Sequence, residues 1–294
     1  MSSPAQFVDR RQVQRNFARA AASYDSAAVL QREVGSRMLE RLDYVRVEPQ
    51  RLLDLGCGTG ASLTALHERY PQAQLIGADL SEAMLQAGRG QRSRLRWMLP
   101  FLRSNKTPLI AADAAILPFK SASMSMLWSN LMLHWLDDPL PAFREMHRVL
   151  AVDGLLMFST FGPDTLRELR NSFEDDHVHT QRFGDMHDFG DMLIECGFAD
   201  PVMDMEVLTM TYCSLDDFFR DLRQGGAACA MQARHHGLMG RHAWQRMRSA
   251  YEKLAQDGRL PATFEVIYGH AWKTQPKKTQ DGRSIVRLDL KRAR

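Results

Sequence analysis

Leu52-Leu53-Asp54-Leu55-Gly56-Cys57-Gly58-Thr59-Gly60 joins a short apolar strand, opening at Arg51, to a helix over Ala61 to Tyr70 that Pro71 closes. Glycine at 56, 58 and 60 lets the backbone turn tightly and leaves no Cβ in the way of a ligand. Dinucleotide-binding folds use a related turn with the spacing GxGxxG. Here the glycines alternate and Asp54 stands just before them, which sets the loop apart from that fingerprint.

Outward from the loop, strands and helices take turns as they do in a parallel α/β sheet. Gln74 to Asp79 reads as a second strand, followed by a helix with Ser81 as N-cap. Leu109 to Asp113 is a third strand and Met124 to Ser129 a fourth. Asp137 to Leu150 is a helix, Asp153-Gly154 a turn, and Leu155 to Phe161 a fifth strand. Asp54, Asp79 and Asp113 thus lie at the carboxyl ends of three strands, where open α/β sheets bind ligands. Each Asp alone reads equally as a cap on the following turn. Together with the glycine loop, they read better as a binding edge.

The flanks are looser. Met1 to Leu42 has helical spacing (Val13, Phe17, Ala20, Ala21). Arg89 to Pro108 reads as a long basic loop with Trp97 and Phe101 in it. Pro163 to Phe173 and Asp185 to Cys196 look helical, Val202 to Tyr212 extended, Leu215 to Ala228 and Arg241 to Gln256 helical again, and Thr263 to Trp272 is a last strand. The expected division is an N-terminal helical lid over 1–45, an α/β core over 46–162, a helical cap with the final strands over 163–273, and a basic tail over 274–294.

No apolar run approaches the roughly 20 residues that span a bilayer, and Met1 to Arg19 has four arginines without an apolar core, unlike a secretory signal. Cys57, Cys196, Cys213 and Cys229 are scattered, which reads as reduced thiols in a cytoplasmic protein with no zinc site. Lys273 to Arg294 carries eight Lys or Arg and two Asp, a net of +6 that leaves −3 for the rest of a chain of net charge +3. No aromatic interleaves with these charges, so the tail reads as a solvated end and not a nucleic-acid site.

The glycine loop, Asp79-Leu80-Ser81 with Met84 behind it, Ala114 to Phe119 and Arg148-Val149-Leu150 resemble class I methyltransferases over roughly Leu52 to Phe161. That resemblance implies a Rossmann-like, doubly wound sheet of seven strands, the last antiparallel, and S-adenosylmethionine as cofactor. It implies that Asp54, Gly56, Cys57, Gly58 and Gly60 hold the methionine part and Asp79 the ribose, with Leu80, Met84, Asp113 and Ala114 around the adenosine.

A narrower resemblance adds the substrate. Phe17 to Asp25 with Leu30-Gln31, Ser129-Asn130-Leu131-Met132-Leu133-His134-Trp135, Phe158 to Leu166, His179-Thr180-Gln181-Arg182-Phe183 and Leu260 to Phe264 resemble the malonyl carrier-protein O-methyltransferases of biotin synthesis. Gln181 stands where that family has Asn. The implied reaction esterifies the free carboxylate of a malonyl group on the phosphopantetheine of an acidic acyl carrier protein. The ester then enters fatty-acid elongation toward pimeloyl and biotin. A malonyl carboxylate is ionised at neutral pH, so no general base is needed. The resemblance implies Tyr24 and Gln31 on a helix closing over the cofactor, Asn130 and Leu131 beside it, and His134 and Trp135 near the methyl group. Arg182 is the candidate for orienting the carboxylate, against a surface ion pair as its ordinary role. Packing is the ordinary role for Tyr24 and His134. His177, His179 and His187 are irregularly spaced and read as surface histidines, not metal ligands. The basic stretch Arg89 to Pro108 is the expected docking face for the carrier.

Two other readings stay open. Leu133-His134-Trp135, Thr165 to Arg170 and Asp221 to Arg234 are also similar to complex I assembly factors associated with arginine hydroxylation. A non-catalytic module on the same fold is the third, against which the intact acids and glycine loop stand.

Overall fold

The structure, a computed structural model, describes residues 7–98, 107–175, 177–234, 236–237 and 239–275, without the side chains of 91–98. Chain order gives α1 (Arg10–Ala20), α2 (Tyr24–Ala27), α3 (Val29–Arg41), β1 (Arg51–Leu55), α4 (Ser62–Arg69), β2 (Gln74–Asp79), α5 (Glu82–Met98), β3 (Leu109–Ala111) and β4 (Met124–Ser129). Then follow α6 (Leu140–Val149), β5 (Leu150–Phe161), α7 (Arg167–Asn171), α8 (Met186–Glu195), β6 (Ala199–Tyr212), α9 (Leu215–Gln224), α10 (Arg241–Glu252) and β7 (Leu260–Lys273).

The strands form one seven-stranded sheet in the order β3-β2-β1-β4-β5-β7-β6. β1 to β5 are parallel, and β7 runs antiparallel to β5 and β6. Strand order reverses between β1 and β4, which opens a crevice at their carboxyl ends. The central strands carry apolar residues on both faces because helices cover both. Alternate residues go to opposite sides: Leu52, Trp128 and Met157 join one buried cluster with α3 and α4, while Leu53, Leu127 and Phe158 join another with α6 and α8. At the edge, α3 is tied to β6 by Arg37 with Glu206 and by Arg41 with Asp204 at 2.7 Å.

Five expectations change. Met1 to Leu42 is not one helix: among the described residues the chain breaks at Ala21 to Ser23 and at Ala28, so that Tyr24 opens a separate turn. The stretch from Arg89 is not a loop, since α5 runs on to Met98; the side chains of Arg92, Arg94, Arg96 and Trp97, and Phe101 altogether, lie outside the described residues, as does the tail from residue 276. Pro163 to Phe173 holds only the five-residue α7, entered through Leu166 at φ +57°. The expected helix over Leu215 to Ala228 ends at Gln224, where Gly225 and Gly226 follow. Asp153-Gly154 does not precede β5 but interrupts it: Asp153 takes φ +63° and the pairing with β4 skips from Met124–Leu150 to Met126–Leu155.

Candidate active site

The glycine loop spans the crevice with Gly56, Gly58 and Gly60 at φ +78°, +55° and +82°. That region suits glycine, and a Cβ on Gly56 would stand 2.5 Å from Met132 Cγ. The amides of Gly56 and Cys57 donate to the Ala78 carbonyl at 2.8 and 3.0 Å, tying the loop to β2. At the end of β2, Asp79 accepts from the Gly58 amide at 2.8 Å and the Ser81 amide at 2.7 Å. Burial pushes its carboxyl up, and the backbone donors oppose that shift. Arg148 on α6 fixes the loop after β3 by donating to the carbonyls of Leu117 and Phe119 at 2.9 and 2.8 Å.

Over this edge lies a cavity of about 260 Å³. Gly56, Gly58, Asp79, Leu80, Met84, Asp113, Ala114, Asn130 and Leu131 all line it, so most of the sequence-named cofactor residues meet there. Asp54 is buried below, and Cys57 and Gly60 shape the turn without lining the cavity. Gln31 does not line it either. Its backbone carbonyl accepts from Asn130 Nδ2 at 2.9 Å, while Asn130 Oδ1 accepts from the Ser159 hydroxyl at 2.8 Å.

The roof is the N-terminal lid, contributing Val8, Val13, Phe17 and Tyr24. Asp9 caps α1 by accepting from the Gln12 amide at 3.1 Å. Arg10 pairs with Asp113 at 2.5 Å, and the Thr59 hydroxyl donates to Asp25 at 2.5 Å. Burial, then the charges of Asp79, Asp25 and Asp54, hold the Tyr24 phenol well above its ordinary range, so it stays protonated. The lid also rests on the segment after α9: Asp9 N donates to the Ala230 carbonyl at 2.7 Å, Gln232 N to the Phe7 carbonyl at 2.8 Å, and Asn16 Nδ2 to the Ala228 carbonyl at 2.8 Å. Neither this seam nor the latches at Asp25 and Arg10 had a local signal in the sequence.

A second cavity of about 200 Å³ adjoins the first, and Trp135 is the residue common to both linings. Its walls are Phe161, Phe183, Phe219, Leu222 and Phe264, with His134, His179, Gln181 and Arg223 among them. His134 is 6 % exposed, lies 4.7 Å from the Phe161 ring, and burial lowers its pKa to about 3, so it is neutral at pH 7. His179, expected at the surface, is instead half-buried, stacked on Phe173 at 3.4 Å and bonded to Asp175. Arg182 is exposed and lines neither cavity, because the extended chain at 181–183 turns Gln181 inward and its neighbour out. Among the described residues no three His, Cys, Asp or Glu gather as metal ligands, and no helix is long and apolar enough to cross a membrane.

A methyltransferase-domain family model matches residues 53–158, from the glycine loop to β5. The protein from Bacillus subtilis called YcgJ superposes with a TM-score of 0.59 at 15 % identity, covering 83 % of this chain and 100 % of its own. The [4+2]-cyclase SpnF superposes at 0.52 with 21 % identity over 83 % and 81 %. Both share the fold, and their different names show that the fold alone leaves the reaction open. The Malonyl-[acyl-carrier protein] O-methyltransferase of Gallionella capsiferriformans is 48 % identical over 97 % of this chain and 98 % of its own. That of Laribacter hongkongensis is 50 % identical over 95 % and 96 %. The chain belongs to the malonyl-[acyl-carrier protein] O-methyltransferase family, within the class I methyltransferases.

S-adenosylmethionine, the methyl donor of that class, fits the first cavity. The ligand is cationic at its sulfonium and ammonium, and four aspartates, at 79, 113, 137 and 138, line the space against the single cation Arg10, itself paired with Asp113. Asp79 would hold the ribose hydroxyls and the loop backbone the methionine end.

Proposed function

We propose that the protein transfers a methyl group from S-adenosylmethionine to the free carboxylate of a malonyl thioester on an acidic acyl carrier protein, in the cytoplasm. Near full-length identity of about half to relatives bearing that activity in their names carries the reading, and it does not favour the hydroxylase alternative. The bound cofactor supplies an electrophilic methyl group. The chain's own part is placement: the carboxylate is already ionised, so no side chain must remove a proton. Tyr24 and Phe17 close the roof, 6.2 Å apart in an edge-to-face pair, and exclude water from the reacting pair of atoms. Neutral His134 adds no competing charge beside the methyl acceptor. Incubation with methyl-labelled S-adenosylmethionine and malonyl carrier protein should place label in a base-labile ester. Cofactor binding without label in any malonyl thioester would overturn the reading.

A further inference from the structure

The cavity behind Trp135 differs from the cofactor cavity in what it lacks. No Asp or Glu is among its described lining residues, and its titratable walls are His134, His179, Cys229 and Arg223. His134 is neutral, and burial raises the Cys229 thiol, which donates to the Thr180 carbonyl at 3.4 Å. Arg223, in the last turn of α9, is the one lining residue with a permanent charge; it is an exposed residue, open to water, and its guanidinium has no hydrogen bond or ion pair among the described residues.

Two buried polar atoms point the same way. Gln181 is 7 % exposed; its Oε1 accepts from the Ala230 amide at 2.9 Å, which fixes the amide's orientation and leaves Nε2 buried with no partner. His134 Nδ1 is likewise buried and unpartnered. Buried donors are ordinarily satisfied, and one left open in a cavity wall marks a place for an acceptor. An amide N–H₂ and a guanidinium, beside aromatic walls with no acid among the described lining residues, suit a short acyl group that ends in a carboxylate.

We propose that this cavity receives the carboxylate-ended acyl group of the substrate, with Gln181 Nε2 and the Arg223 guanidinium as its donors and Trp135 at the border it shares with the cofactor cavity. The inference rests on the reading given under Proposed function and names the site for that substrate. It assigns the discrimination between a malonyl and an acetyl thioester to these two side chains, because an acyl group without the carboxylate leaves both donors unpaired.

The test is calorimetric binding of malonyl-coenzyme A and acetyl-coenzyme A to the full chain, wild type against Arg223→Gln, Arg223→Lys and Gln181→Glu. Arg223 bonds to nothing that the fold needs, and Gln181→Glu keeps the oxygen that accepts from Ala230. Wild type is expected to prefer the malonyl thioester by about tenfold or more, as one charge-assisted hydrogen bond provides. Arg223→Gln should erase that preference with unchanged melting temperature and little change toward acetyl-coenzyme A, and Arg223→Lys should restore part of it; Gln181→Glu should erase it too, with a lowered melting temperature because a carboxyl is buried there. Equal binding of both thioesters by wild type, or an undiminished preference in both variants, overturns the proposal. The labelled-ester assay separates the two failures. Ester formed by wild type without donor-dependent preference leaves the reaction standing and removes this site, whereas preference without ester leaves the site and removes the reaction.

Discussion

Two cavities meet at Trp135, and opposite chemistry lines them. The one over the glycine loop holds four aspartates and one paired arginine; the one behind Trp135 holds aromatic walls, open donors and no acid. The first suits a cation, the second an anion, and the reaction between a sulfonium methyl and a carboxylate belongs at the border they share. Position along the chain differs as well. The acidic cavity is floored by consecutive strand ends, whereas the aromatic one is assembled from segments between His134 and Phe264 that have nothing local in common.

Removing Asp79, which would hold the ribose, should break the contrast hardest. Asp79→Ala is expected to lower S-adenosylhomocysteine affinity by about a thousandfold, since two charge-assisted hydrogen bonds go, while malonyl-coenzyme A binding stays near wild type. Titration of both ligands decides it, and equal losses would dissolve the separation of the two sites.

Acid should act on the cavities with opposite sign. Burial holds the His134 imidazole at a pKa of about 3, below the 6.5 of the unfolded chain, so below pH 6.5 the unfolded state takes the proton that the folded state refuses. Stability therefore falls as pH drops from 6.5 toward 3, by about 1.4 kcal/mol per unit. Asp79 is shifted the other way, raised by burial, so the folded state binds its proton more readily and acid relieves a strain there. Urea midpoints between pH 7 and 4 should fall less steeply in His134→Asn than in wild type. An unchanged slope would take the neutral wall away from His134.

Trp135→Ala removes the side chain that lines both cavities and is expected to weaken both ligands about tenfold, as loss of a half-buried aromatic contact does. A loss confined to one ligand would show that the wall belongs to that cavity alone. The smallest effect is expected from Arg10→Ala. Its pair with Asp113 is more than half exposed on the arginine side, so stability should change by under about 1 kcal/mol, with cofactor release a few times faster in stopped flow.

The same contrast explains what could be read from the chain. Arg51–Leu55, Gln74–Asp79 and Met124–Ser129 are strands with the bounds their short apolar runs imply, and Gly58, Asp79, Met84 and Leu131 line one cavity. The breaks around Tyr24 were not legible, because the helical spacing of Met1 to Leu42 carries through them; the seam with Ala228 to Gln232 lies some 200 residues away. α5 was hidden behind its arginines, which broke the apolar period without breaking the helix. In the sequence Gln181 is only a departure from a family pattern beside a conspicuous charge, Arg182. Charge is visible in a sequence, but which of two neighbours in an extended segment faces inward is decided by the wall it meets.

The backbone seam between the lid and the segment after α9 makes the two chambers one door. Asp9 N donates to the Ala230 carbonyl and Gln232 N to the Phe7 carbonyl, and Gln181 holds Ala230 from the far side. Were the seam to open for the exchange of one occupant, the support of the other would loosen with it, and each occupant would then be expected to tighten the grip on its partner, by reciprocity to the same degree. In hydrogen-exchange terms the amides of Asp9, Ala230 and Gln232 are expected to behave as one cooperative unit, slowed together by either ligand and most by both.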